Sequence, residues 1–160
     1  MSDILVALTL VTALGCGLSA GVFFAFSSFV MKALARLPDA QGVAAMHSIN
    51  VVAVTPAFMT ALFGTALACV ALVVVALADW HDSFGPYLLA GPALYLAGTI
   101  GLTMAYHVPR NDALATVEAG CPEAAGPWSR YLAEWTRWNH VRAATALAAA
   151  ASLTVALHVG

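Results

Sequence analysis

The sequence predicts an all-α protein: a four-transmembrane-helix bundle with short amphipathic helices on the cytoplasmic side. Three observations carry that reading. Only 9% of residues are charged while 62% are hydrophobic, against roughly 25% charged in an ordinary soluble domain. The charges are confined to a few short segments, leaving long uncharged stretches between them. Alternation of polar and apolar residues, the mark of a membrane strand, is absent. The 160 residues read as a single integral membrane domain over 1–160, with membrane lipid as the partner its composition demands. A net charge of −2 gives no reason to expect nucleic acid.

The elements follow in order. A helix needs about 20 apolar residues to cross the hydrocarbon core, and no charge interrupts the chain between Asp3 and Lys32. The first span is therefore expected near 4–31. It is not expected to be a secretory leader, because Asp3 replaces a basic start and the apolar run continues past any small-residue cleavage site. Ala13, Gly17 and Gly21 recur at four-residue spacing, which permits close helix approach. Contact inside the bundle is the expected use, and a homo-oligomer through Gly17 and Gly21 is the sharper alternative. Pro38 and Asp39 read as a helix start, giving a partly immersed helix over 39–55 with His47 and Asn50 on one face. Pro56 marks a break before the second span at 57–78.

Asp79-Trp80-His81-Asp82 forms a short acidic turn. The third span, 86–107, contains Gly91, Gly98 and Gly101 and ends at Tyr106-His107-Val108-Pro109. Asn111-Asp112 is read as opening a further short helix, and Gly120 through Pro127 as a loop. From Pro127 a helix is expected to run through Trp128, Trp135 and Trp138 into an alanine-rich fourth span at 141–159.

The basic residues give an orientation. Lys32 and Arg36 follow the first span, and Arg110, Arg130, Arg137 and Arg142 lie between the third and fourth. In a four-span bundle these two connections share a side, and the positive-inside rule makes it the cytoplasm. Both termini then lie outside and loops 32–55 and 108–140 inside, in what we expect to be a bacterial cytoplasmic membrane.

Three polar groups converge on that basic side: His47 with Asn50; His107 with Arg110, Asn111 and Asp112; and Trp138 with Asn139, His140 and Arg142. Trp135, Trp138, Asn139 and Arg142 follow i, i+3, i+4, i+7, one helical face. Ionisable residues within membrane proteins usually face the interior or a wet cavity, whereas interfacial Trp and Arg often only anchor the helix ends; Trp128, Arg130 and Arg137 fit that plainer role. His47, His107 and His140 suffice in number for zinc or copper, but none are paired at i, i+4, so no metal is assigned. Cys16 and Cys69 sit mid-span as small hydrophobes and Cys121 lies alone in a loop, with no redox motif.

Four stretches resemble one family. Gly21-Val-Phe-Phe-Ala-Phe-Ser-Ser-Phe-Val-Met31, Ala44-Ala-Met-His-Ser-Ile-Asn50, Val108-Pro-Arg-Asn-Asp-Ala-Leu114 and Trp135-Thr-Arg-Trp-Asn-His-Val-Arg142 are similar to small four-helix membrane proteins grouped with the anthrone oxygenases. Most bacterial members of that group are known as a domain of unknown function. Lys32 stands where the family usually has proline, and His107 where it usually has asparagine. The resemblance implies a cofactor-independent oxygenase acting on an apolar, anthrone-like aromatic. Such a reaction needs a base, donors for an anion and an apolar pocket. On that reading His140 or His107 is the base, with Asn139, Asn111 and Arg142 stabilising the oxyanion. Trp135 and Trp138 hold the flat rings beside His47 and Asn50. Two other classes stay open: a non-catalytic membrane protein binding a lipophilic small molecule or a partner protein, and a transporter. Transport fits least, since transporters usually place polar groups at mid-membrane between repeats.

Overall fold

The computed structural model describes residues 1–121 and 124–160; part of the loop expected at Gly120–Pro127 thus lies outside the described residues. Among these residues the chain is helical, with no strand. Four helices are long and apolar enough to cross a membrane: α1 (Asp3–Leu34), α3 (Pro56–Ala78), α4 (Gly85–Ala115) and α5 (Ala125–Val159). Between the first two lies the shorter α2 (Asp39–Val52). Local chemistry sets their starts. Ser2 accepts from the Leu5 amide at 3.4 Å and Thr55 from the Phe58 amide at 3.2 Å, each satisfying a free helix N–H. Pro56 follows Thr55 at the first helical position, where its missing N–H costs nothing.

The bundle is antiparallel. The Met1 amino group donates to the Gly160 carbonyl at 3.0 Å, so both termini meet at one end, beside the Asp79–Phe84 turn. α1 packs chiefly on α5, α3 on α1 and α4, and α4 on α5. Their shared core is small and apolar, with Cys16, Cys69, Leu72, Leu88, Ala146, Ala149 and Leu153 wholly buried. Alanine on α5 lets its neighbours close in. A Cβ on Gly98 would stand 2.5 Å from the Thr145 side chain, so α4 and α5 touch there only because Gly98 has none. The glycine pair on α1 behaves otherwise. A Cβ on Gly17 or Gly21 would meet nothing within 4 Å. Ala13, Cys16, Ala20 and Phe23 face the core, which turns the glycine row to the outer edge. Of the expected row, Ala13 makes its contact inside the bundle, while Gly17 and Gly21 border a shallow depression shared with Ala143, Ala144 and Leu147 of α5.

At the other end a second apolar core gathers Met31, Leu34, Val43, Met46, Leu114, Trp128, Tyr131 and Trp135. It holds α2 across the base of the bundle. Gly42 allows this, since a Cβ there would lie 2.7 Å from the Trp128 ring. Trp128, read from the sequence as an interfacial anchor, is instead 1% exposed. α5, at 35 residues, is about 52 Å long at 1.5 Å per residue. That exceeds the roughly 30 Å of a hydrocarbon core, and its first half packs against α2 through Trp128, Tyr131 and Trp135.

Two helices depart from regular winding. α1 widens to π-helix at Phe26–Val30, and α4 does so over Leu94–Gly101 and Thr103–His107. The break expected after His107 does not occur: the helix continues through Pro109 to Ala115. The wider turn just before the proline accommodates its missing N–H and bulky ring. Asn111 therefore rides on the third transmembrane helix.

Candidate functional site

The widened turns of α1 and α4 face α5 at the basic end, and the polar side chains collect between them. Asn139 is wholly buried. Its amide nitrogen donates to the Phe23 carbonyl and to Ser27 Oγ, both at 2.7 Å. Its carbonyl oxygen accepts two bonds from Arg142, Nε at 3.1 Å and Nη2 at 2.7 Å. Arg142 Nη1 donates to Thr103 Oγ1 at 3.1 Å. The guanidinium lies 3.8 Å over the Phe23 ring, a cation–π contact strengthened by desolvation.

Arg142 is only 6% exposed, yet no carboxylate pairs with it among the described residues; the arginine–carboxylate pair present there is Arg110–Glu134, at 3.4 Å. A buried cation usually demands an anion. Of its five N–H donors, three are used as above, leaving one on each terminal nitrogen.

His107 occupies the last turn of the widened α4 and is 1% exposed. Nδ1 lies 3.1 Å from the Leu102 carbonyl. A carbonyl can only accept, so Nδ1 carries the hydrogen and the neutral ring presents a lone pair at Nε2. That buried Nε2 has no partner. Trp135 meets the His107 ring edge-on, centroids 5.0 Å apart, fixing its plane. Asn111 Oδ1 accepts from Tyr131 at 2.8 Å and from Trp135 Nε1 at 3.0 Å. Its acceptor end is thus engaged, leaving the amide hydrogens. The buried amide nitrogen of Asn50 likewise has no partner.

Asn50, His107, Asn111, Trp135 and Arg142 line one cavity of about 220 Å³, together with Phe23, Phe26, Phe58, Leu62 and Thr103. The volume falls just below the roughly 300–1,000 Å³ of drug-sized ligand sites, which suits a compact, flat molecule. Its lining residues carry an unshared lone pair, free amide and guanidinium donors and aromatic faces, with His107 Nε2 and the Asn50 amide nitrogen buried just behind the surface. Groups of these kinds can take a proton from an apolar molecule and hold the anion that results.

The sequence-based set is thereby divided. Asn139 stands behind the wall, positioning Arg142. His47 is not at the cavity: its Nε2 bonds the Leu114 carbonyl at 2.8 Å, tying α2 to α4. Trp138 is 38% exposed and packs at a tilt against Tyr106 at the outer edge, centroids 5.1 Å apart. His140 is exposed and borders shallow surface depressions on the opposite side of α5; one residue past Asn139, it is turned about 100° around the helix. The role of base expected for it does not fit that position. With His47, His107 and His140 in three places, no metal-sized group of histidine, cysteine and carboxylate forms among the described residues.

Ser27, Thr103 and Tyr131 complete the network and were not singled out from the sequence. Tyr131 lies four residues before Trp135, on the same face, and Thr103 four before His107. That spacing was the available signal.

A family model described as anthrone oxygenase matches residues 56–152. The match takes in His107, Asn111, Trp135, Asn139 and Arg142 but not Asn50 or Ser27. No curated protein and no solved structure matches the chain.

Proposed function

Because this chain belongs to the anthrone oxygenase family, we propose that it oxidises an anthrone-like phenolic or keto aromatic with O₂ in the cavity at its basic end. One observation supports the proposal: His107, whose buried Nε2 lacks a partner, and the carboxylate-free Arg142 both line the same apolar cavity. Anthrone has an acidic CH₂ opposite its ketone. His107 Nε2 takes one of those protons, and the negative charge spreads onto the ketone oxygen. Free N–H groups of Arg142, with the amides of Asn50 and Asn111, stabilise that oxygen. Trp135 and the phenylalanines hold the rings.

The electron-rich carbon then gives electrons to O₂ and forms a C–O bond, yielding a peroxide. Loss of the second hydrogen as a proton, with O–O cleavage, gives the new carbonyl and releases water. Overall, anthrone and O₂ give anthraquinone and H₂O, all four electrons coming from the substrate.

Purified protein in detergent should accelerate conversion of anthrone to anthraquinone, with one O₂ consumed per quinone formed. His140→Ala should turn over at the wild-type rate. Conversion no faster than with heat-denatured protein would remove the enzymatic reading. Retained binding without turnover would then point to a carrier of lipophilic aromatics, which the same cavity would serve.

The proposed location is the cytoplasmic membrane with the cavity end inside, supported by the gathering of Lys32 and all the arginines at that end. Cys16 and Cys69 are buried and Cys121 partly exposed, so Cys121 is the natural reporter. A membrane-impermeant maleimide should leave it unlabelled in intact cells and label it after lysis. Labelling from outside reverses the topology.

A further inference from the structure

The cavity is polar on one side only. Its remaining wall is Ala53, Val54, Phe58, Met59 and Phe63 on the α2–α3 side, with Met104 and Val108 on α4. Several of these side chains also reach the molecular surface: Val54 is 68% exposed, Met104 54%, Phe63 44% and Val108 38%. The cavity therefore opens sideways between α3 and α4. All four of these residues are apolar, and Phe63 and Met104 lie on helices long and apolar enough to cross a membrane. Below, α2 closes the floor with Met46 and Ile49, Met46 being 1% exposed. The buried polar atoms thus sit deep, and the gap is set in an exposed apolar surface.

From this geometry we infer that the ligand passes in and out of the bilayer through a lateral portal bounded by Phe63, Met104 and Val108, and that it is a membrane-dissolved aromatic carrying an ionisable oxygen at one end. A molecule that partitions into lipid arrives already desolvated and travels apolar edge against apolar edge, which avoids stripping water from its rings at the site. Only its oxygen must exchange partners, from the interfacial region to Arg142. An ordinary water-soluble metabolite has no such route. This inference rests on the proposed site, but on its capacity to bind rather than on oxygen chemistry.

Because binding and turnover can be read separately, so can the two proposals. Wild-type protein in phosphatidylcholine nanodiscs is mixed with dihydroxyanthraquinone, whose visible absorbance moves to the red as its phenol ionises, and association and dissociation are followed by stopped flow. Met104→Trp and Phe63→Trp add bulk at exposed positions of the portal, and Ser48→Trp adds it on the exposed face of α2, outside the cavity lining. The portal variants should slow association and dissociation alike, by about tenfold, with Kd little changed, as expected for a gate rather than a contact. Ser48→Trp should leave the association rate within about twofold of wild type. Slowing by Ser48→Trp alone would place access at the aqueous end and overturn the portal. So would wild-type rates in both portal variants. Failure of wild-type protein to bind the dye would overturn the ligand class. Gated binding without anthrone oxidation would uphold the portal and reject the oxygenase.

Discussion

Arg142→Met should lower kcat on anthrone by about 10²–10³-fold, the usual effect of removing a donor aimed at a developing oxyanion. Methionine keeps an unbranched apolar stem in the space but removes the charge and both free N–H groups. It also strips Asn139 Oδ1 of its two donors, which costs about 1–3 kcal/mol of stability for an unsatisfied buried acceptor. Thermal unfolding must therefore be measured beside turnover. Arg142→Lys separates the effects: it restores a charge but cannot reach Asn139 and Thr103 as a planar fork. Intermediate turnover is expected. Arg110→Met is the control, because its half-exposed pair with Glu134 is of the kind worth about 0–1 kcal/mol. Turnover by Arg142→Met within about threefold of wild type would leave the anion without its stabiliser, far short of the loss such a donor implies.

His107→Ala should cost about 10²–10⁴-fold in kcat, the range of a positioned general base. Added imidazole should restore part of the rate, since the deletion opens space beside Trp135 and in the cavity. His107→Asn is the sharper variant. Its amide can bond the Leu102 carbonyl, but it offers no basic nitrogen. A fall in turnover with intact dye binding would identify Nε2 as the base. Full activity in that variant would assign His107 to packing against Trp135 and leave the base to another group, with the cavity unaffected.

Much of this arrangement was legible in the chain because lipid imposes simple demands. A helix must be apolar for its whole crossing, so uncharged runs mark the spans directly. The Trp135, Asn139, Arg142 face was also legible, because helical periodicity is local. Local rules did not reveal the widened turns before Val108. The sequence there suggested a break at Pro109, and the continuation depends on π-turns packed on α5. Nor could spacing separate Asn139 from His140. Adjacent residues share a sequence environment, yet one is wholly buried and the other exposed. Gly17 and Gly21 show the same limit, since small residues permit approach without specifying which neighbour arrives.

By itself, then, the sequence determined the helical class, the number of spans and the end at which the polar residues gather. These depend on composition and on repeats within single helices. The tertiary structure alone decided which histidine meets the cavity, that Arg142 is buried without a carboxylate among the described residues, and that α2 seals the base while the α3–α4 side stays open. Those features depend on helix rotation and on contacts between segments as far apart as Phe23 and Asn139, and no periodicity within one helix encodes them.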